Sequence, residues 1–295
     1  MIEVLKAPPF ATVQDLGWRI GRAIGLPEGG AMDRRLLEEA NALVGNPADR
    51  AGLEWALGPG VLRLFSEATC CVLRDAEVRI DGRAHPVGLL RADPGATIEI
   101  VPRNRDRFLY LAVRGGIDVP RVMGSRSTYL PGALGGLEGR RIKTGDRLPI
   151  GAMPPQAEPL VAGGMATSGA NEPKTIRVTR GPQWDRFDAA AHHAFFAGEY
   201  VVTPASDRMG YRLSGPPVHP RESATLPSEA ACPGAVQIPD SGEPIVLMRD
   251  GPTVGGYPKM VVVIRADLGM LAQCPPGRAV RFREVSLEDA RALRS

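Results

Sequence analysis

The chain has 295 residues, 43% of them hydrophobic and 23% charged, which is enough apolar material for a buried core and too much for whole-chain disorder. Its 36 basic and 33 acidic residues leave a formal charge of +3 with no basic run, a balance that argues against nucleic acid as a partner. Thirty-five glycines and 28 prolines, without a collagen-like period, predict many short strands joined by turns and argue against a helix bundle.

In chain order, residues 1–23 read as a strand and turns ending in a Gly-rich bend. A helix is predicted over residues 33–44: Asp33 can cap it, Leu36, Leu37, Ala40, Leu43 and Val44 share one face, and Gly45 follows the last turn. The period then shortens. Residues 61–65, 69–73, 78–80, 97–101 and 108–113 are short, β-branched or alternating, and Asp81-Gly82 is a hairpin turn signal. A further short strand ends at Ile150. The Pro-, Gly- and Ala-rich stretch 152–173 reads as a linker or crossing loop, which sets an N-terminal lobe at 1–151 and a C-terminal lobe at 174–295. The second half shows strands at 175–179, 200–203, 235–238, 245–248, 260–264 and 279–282, a short helix around 184–196, and a last helix capped by Ser286 with Asp289. Asp15-Leu-Gly-Trp-Arg19 is echoed by Asp207-Arg-Met-Gly-Tyr-Arg212, which two related β lobes or chance would both explain.

Cys70, Cys71, Cys232 and Cys274 form no CxxC pair, and His85, His192, His193 and His219 lack metal-ligand spacing, so no metal site is expected. The start MIEVLKAPPF is unlike a signal peptide and no run of 18 apolar residues occurs; the expectation is a reduced, cytoplasmic protein with no membrane span.

Five segments carry more glycine and polar residues than turns need: 12–17, 29–33, 115–118 with 124–128, 206–212 and 250–259. None has Walker, dinucleotide-binding or GxSxG spacing. In Asp250-Gly-Pro-Thr-Val-Gly-Gly-Tyr-Pro-Lys259, the glycines permit close approach to a ligand, Asp250 can act as a base, Tyr257 can donate a hydrogen bond, and Lys259 supplies a compact cation. The same residues also suit a plain hairpin. Lys259 is one of only four lysines (with Lys6, Lys143 and Lys174) in a chain that otherwise uses arginine, which points to a specific need for an ammonium. Gly124-Ser-Arg-Ser-Thr128 offers backbone N–H groups, hydroxyls and a guanidinium to an anion, or is a strand-to-turn segment. Asp207 with Arg208 or Arg212 suits a site or a structural ion pair.

Taken together, TVQDLG, GLPEGGAMD, NALVGNPADRAGLE, YLAVRGGIDVP, GSRSTYLPGALGGLEGR, SDRMGYRLSGP, GAVQIPDSGEPIVLM and DGPTVGGYPK resemble, in order and over nearly the whole chain, the family of biotin-dependent carboxyltransferases, allophanate hydrolase second subunits and KipA-like proteins, which includes the C subunit of 5-oxoprolinase. One departure is Val254, where the family more often has a second Thr. The resemblance implies a mainly β fold of cyclophilin-like β-barrel lobes with a few short helices. It implies a KipI-like partner, here expected as a separate chain, and a further partner of the LamB/YcsF type. The activity it implies first is ATP-driven opening of 5-oxoproline to glutamate by the assembled complex. The alternatives are carboxyl transfer from carboxybiotin to urea or a related amide, and non-catalytic regulation through a KipI-like kinase inhibitor. The chain has no Met-Lys-Met biotin motif and no ATP-grasp or Walker loop, so no cofactor is expected on this chain alone, and without an amidase Gly-Gly-Ser-Ser motif it is not expected to be an allophanate hydrolase by itself. Both enzymatic readings handle a small amide whose oxygen gains negative charge, which calls for preset cations, donors and a base. The expected catalytic residues are Asp250, Lys259 and Tyr257; the expected substrate-binding residues are Arg126, Ser127, Arg208, Gln237, Gly255 and Gly256.

Overall fold

The computed structural model describes residues 1–103, 106–152, 173–222 and 225–293. The chain forms two compact units, Met1–Trp18 with Gly29–Ser168, and Arg19–Glu28 with Gly169–Ser295. Residues 19–28 therefore belong with the second unit, whereas a linear division places them in the first. All but the first and last residues of the expected linker at 152–173 lie outside the described residues.

The first unit is built from two antiparallel sheets. One runs in the order 147–148, 2–6, 60–64, 97–102, 76–80, 83–85; the other in the order 10–14, 52–57, 109–113, 68–73, 88–92. Alternation along the strands sends Ile2, Val4, Leu62, Leu64, Val78, Ile98 and Ile100 of the first sheet into one core with Val13, Leu53, Trp55, Val72, Leu109 and Leu111 of the second. The helix forms as the spacing predicts, over Arg34–Leu43, with the Asp33 carboxylate accepting from Leu36 N at 3.2 Å. The turn at Asp81-Gly82 joins strands 76–80 and 83–85 with positive φ at both residues, the geometry that matches strand twist.

The second unit is a closed seven-stranded barrel in the order 174–180, 259–263, 235–237, 245–247, 210–214, 200–202, 279–284. Parallel pairing of Ile176 with Phe282 closes it. Helix Ala189–Ala197 covers the closing strand through Phe195, whose ring stacks on Phe282 with centroids 4.8 Å apart. Helix Arg265–Ala272, which the sequence pattern did not signal, is tied to strand 174–180 by a buried Asp267 carboxylate that accepts Arg177 Nε at 2.9 Å and Nη2 at 2.5 Å. A short ribbon pairs Glu229 with Gly255 and Ala230 with Val254. The chain is thus mainly β with a few short helices, one unit layered and the other barrel-like.

Candidate functional site

The site starts from the register of the barrel. Gln237, at the end of strand 235–237, pairs with Lys259, at the start of strand 259–263, and cross-strand partners project on the same side of a sheet. The Lys259 side chain is only 4% exposed, so its ammonium needs an internal partner, and Glu229 Oε1 supplies one at 2.5 Å. Gln183 closes the arrangement. Its Oε1 accepts Lys259 N at 2.9 Å and its Nε2 donates to Glu229 Oε1 at 2.6 Å. Three loops are joined in this way: 181–183, the segment carrying Glu229, and the Gly-Gly-Tyr-Pro-Lys turn.

Gln237 Nε2 is buried and has no hydrogen-bond partner among the described residues. An orphaned buried donor costs about 1–3 kcal/mol, so one carried by the strand partner of Lys259 calls for an acceptor that the described residues do not supply. The glycines of the turn answer to protein neighbours. A Cβ on Gly255 would lie 2.6 Å from Gln237 Nε2, and one on Gly256 would lie 2.8 Å from the Leu226 carbonyl oxygen. Their absent side chains let the turn close over Gln237 and let Leu226 N reach Gly256 O at 2.7 Å. Tyr257 is exposed at the outer side of the same turn.

The other expected residues take different places. Asp250 is buried and forked by Arg208, with Nε–Oδ2 at 2.7 Å and Nη2–Oδ1 at 2.9 Å, while Asp250 N donates to Arg208 O at 2.8 Å. Both carboxylate oxygens are engaged by one buried guanidinium, an arrangement that fits the structural ion-pair alternative. In the first unit, the donors of the 124–128 loop meet an internal anion. Asp15 Oδ1 accepts Ser125 Oγ and Ser127 Oγ at 2.6 Å each, and Asp15 Oδ2 accepts Arg126 N at 2.6 Å. The Arg126 guanidinium is held by Asp118 and by Val119 O. Ser127 and Arg126 thereby pin the loop to the TVQDLG segment.

The match to the carboxyltransferase domain, subdomain A and B, extends over residues 24–284. The chain belongs to that family. Among its relatives, the 5-oxoprolinase C subunit of Escherichia coli strain K12 is 38% identical over 98% of this chain and 93% of its own length. The Haemophilus influenzae protein of the same name is 33% identical over the full chain and 94% of its own length. A urea amidolyase of Lachancea kluyveri is 33% identical over 99% of this chain but only 17% of that protein. Among solved structures, Kluyveromyces lactis urea carboxylase superposes with a TM-score of 0.93 at 30% identity, covering 98% of this chain and 28% of that one. This carboxyltransferase-family chain thus spans less than a third of that enzyme and 19% of the K. lactis urea amidolyase, which superposes with a TM-score of 0.91 at 30% identity.

Two residues of the family member's cluster, Gln183 and Glu229, were not legible in its sequence. Each is a single polar residue without a motif around it, and positions 183, 229 and 259 meet only when strands 174–180 and 259–263 pair and the ribbon joins Glu229 to Gly255. Cys232 lies in the field of the same region. Burial pushes its thiol up, Arg22 and Lys259 pull it down, and Glu28 pushes it up again. Glu28 in turn meets Arg22 and Arg249 at 3.4 Å each, and Arg22 donates to the Ala231 carbonyl, which fastens residues 19–28 to the second unit. Among the described residues no group of His, Cys, Asp or Glu suits a metal ion, and no helix is long and apolar enough to cross a membrane.

Proposed function

We propose that this chain is the C subunit of a 5-oxoprolinase complex, which with ATP and water opens 5-oxoproline to glutamate. The observation that carries the reading is end-to-end similarity: relatives named as that component match over 98% and 100% of this chain and over 93% and 94% of their own length, whereas the urea amidolyase match occupies 17% of its protein. The site chemistry agrees with it. Opening a lactam places negative charge on the carbonyl oxygen, and Lys259 Nζ with Gln237 Nε2 are the cation and open donor preset to receive it. The chain alone is inactive in this reading. It works in the cytoplasm beside a KipI-like partner and a LamB/YcsF-type partner, with ATP handled by the assembly.

A second reading, carboxyl transfer from carboxybiotin to urea or a related amide, is favoured by the 0.93 TM-score to urea carboxylase. The same two donors suit a urea carbonyl.

The test is reconstitution. The purified chain should neither hydrolyse ATP nor open 5-oxoproline, and adding the KipI-like and LamB/YcsF-type partners should restore 5-oxoproline-dependent ATP hydrolysis. A silent mixture, together with carboxylated urea from a biotin carboxylase system containing this chain, overturns the first reading in favour of the second.

A further inference from the structure

Glu229 has no part in the proposed chemistry beyond neutralising Lys259, yet its geometry is specific. Its Oε1 takes two hydrogen bonds, from Lys259 Nζ at 2.5 Å and Gln183 Nε2 at 2.6 Å, and its backbone pairs with Gly255 of the same turn. The Glu229 side chain is 42% exposed while that of Lys259 is 4% exposed. Of the pair, the carboxylate is thus the partner that faces solvent and the ammonium the one that is buried. Gln183 cannot rotate freely, because its Oε1 is engaged with the Lys259 backbone and the loop is pressed close: a Cβ on Gly181 would lie 2.2 Å from Lys259 O. Side chain and backbone of Lys259 are thus tied into one closed ring through Gln183 and Glu229.

We propose that Glu229, braced by Gln183, is the positioning residue for Lys259 and selects an uncharged carbonyl as the group this site accepts. The inference rests on the reading of Lys259 and Gln237 as the substrate-facing donors. A bare buried ammonium would draw in any small anion, whereas one already paired leaves its remaining N–H bonds for a neutral acceptor and repels a carboxylate. For 5-oxoproline this orients the ring amide carbonyl toward Lys259 and Gln237 and turns the substrate's own carboxylate away from Glu229.

The experiment uses the full chain and Glu229→Gln, with Gln183→Leu as a second variant that removes the brace and leaves Glu229 in place. Lysine acylation by acetic anhydride is followed by mass spectrometry, with Lys6, Lys143 and Lys174 as internal references. In the wild type Lys259 should label slowest. In either variant its labelling should rise several-fold relative to Lys174, a residue of the same barrel, with the thermal melt little changed. In the reconstituted complex, Glu229→Gln should lower kcat on the order of ten-fold or more with KM moved far less, and acetate should become inhibitory. Unchanged Lys259 labelling in both folded variants, or full activity in Glu229→Gln, overturns the proposal. An inactive wild-type complex would instead overturn the oxoprolinase reading, while the labelling still decides the role of Glu229.

Discussion

Each unit carries a polar cluster built around one carboxylate, and the two clusters differ in what they leave open. In the first unit Asp15 accepts Gly17 N at 2.7 Å and both Ser125 Oγ and Ser127 Oγ on one oxygen, and Arg126 N on the other. Its neighbour Gln14 retains an unpartnered Oε1, but that amide's nitrogen is doubly engaged with Thr12 Oγ1 and Thr128 O. In the second unit Glu229 works through one oxygen, sits at the surface, and stands by a buried cation whose cross-strand partner, Gln237, has an unused donor. Both clusters consist of the residue types that suggest binding. A network with its donors already matched holds a loop, whereas one that leaves a buried donor unmatched has hydrogen-bonding capacity to spare.

The largest expected effect tests the first half of this comparison. Asp15→Ala removes the acceptor from two buried hydroxyls and two backbone N–H groups at once. Stability should fall by on the order of 3 kcal/mol or more, read as a lowered denaturant midpoint. Any activity loss in the reconstituted complex should follow the fraction unfolded. A normal midpoint with abolished activity would show that the loop is a site and that a matched network does not mark a purely structural one.

The complementary variant is Lys259→Arg. Charge is kept, but a planar guanidinium does not reproduce the compact ammonium's buried bond to Glu229. Activity of the assembled complex should drop about a hundred-fold, the typical effect of losing one preset oxyanion donor, with a melt close to that of the wild type. Near-normal turnover would return the Gly-Gly-Tyr-Pro-Lys segment to a simple strand connection.

What the sequence disclosed follows the same divide between local and assembled features. The helix at 34–43, the Asp81-Gly82 hairpin and the Ser286 cap, whose Oγ accepts Asp289 N at 3.0 Å, are written in contiguous residues. Helix Arg265–Ala272 escaped because it follows an apolar strand and begins at an extended Ile264 with no side-chain cap. The expected pairing of Asp207 with Arg208 or Arg212 gave way to Arg208 with Asp250, while Asp207 closes its own turn on Met209 N at 2.8 Å. Asp15 caps Gly17 N in the same manner, so the echo between the two halves survives as one type of turn. Lys259 and Gln237 stood out by rarity and by motif. Gln183 and Glu229 did not, because nothing within a few residues of either marks it, and their partners lie 76 and 30 positions away.

The smallest expected effect concerns a carboxylate matched like Asp15 but nearer to water. Asp146 accepts Arg140 through two bonds, at 2.7 and 2.9 Å, and Lys143 N at 2.6 Å. Burial acts to raise its pKa, but these hydrogen bonds and the Arg140 charge outweigh burial and hold it below the ordinary carboxylate value. With the folded value lowered, the unfolded chain binds the proton more readily, so the contribution is fully present above the unfolded Asp value of about 3.9 and fades as pH falls through the folded value. Asp146→Asn should therefore cost about 1–2 kcal/mol at pH 7, since both partners are partly solvated. The gap between wild type and variant, measured by urea unfolding, should hold down to about pH 5 and close below about pH 4 as Asp146 takes up its proton. A gap independent of pH would mean that the variant disturbs the shape of the 143–146 turn, and that the charge on Asp146 contributes nothing.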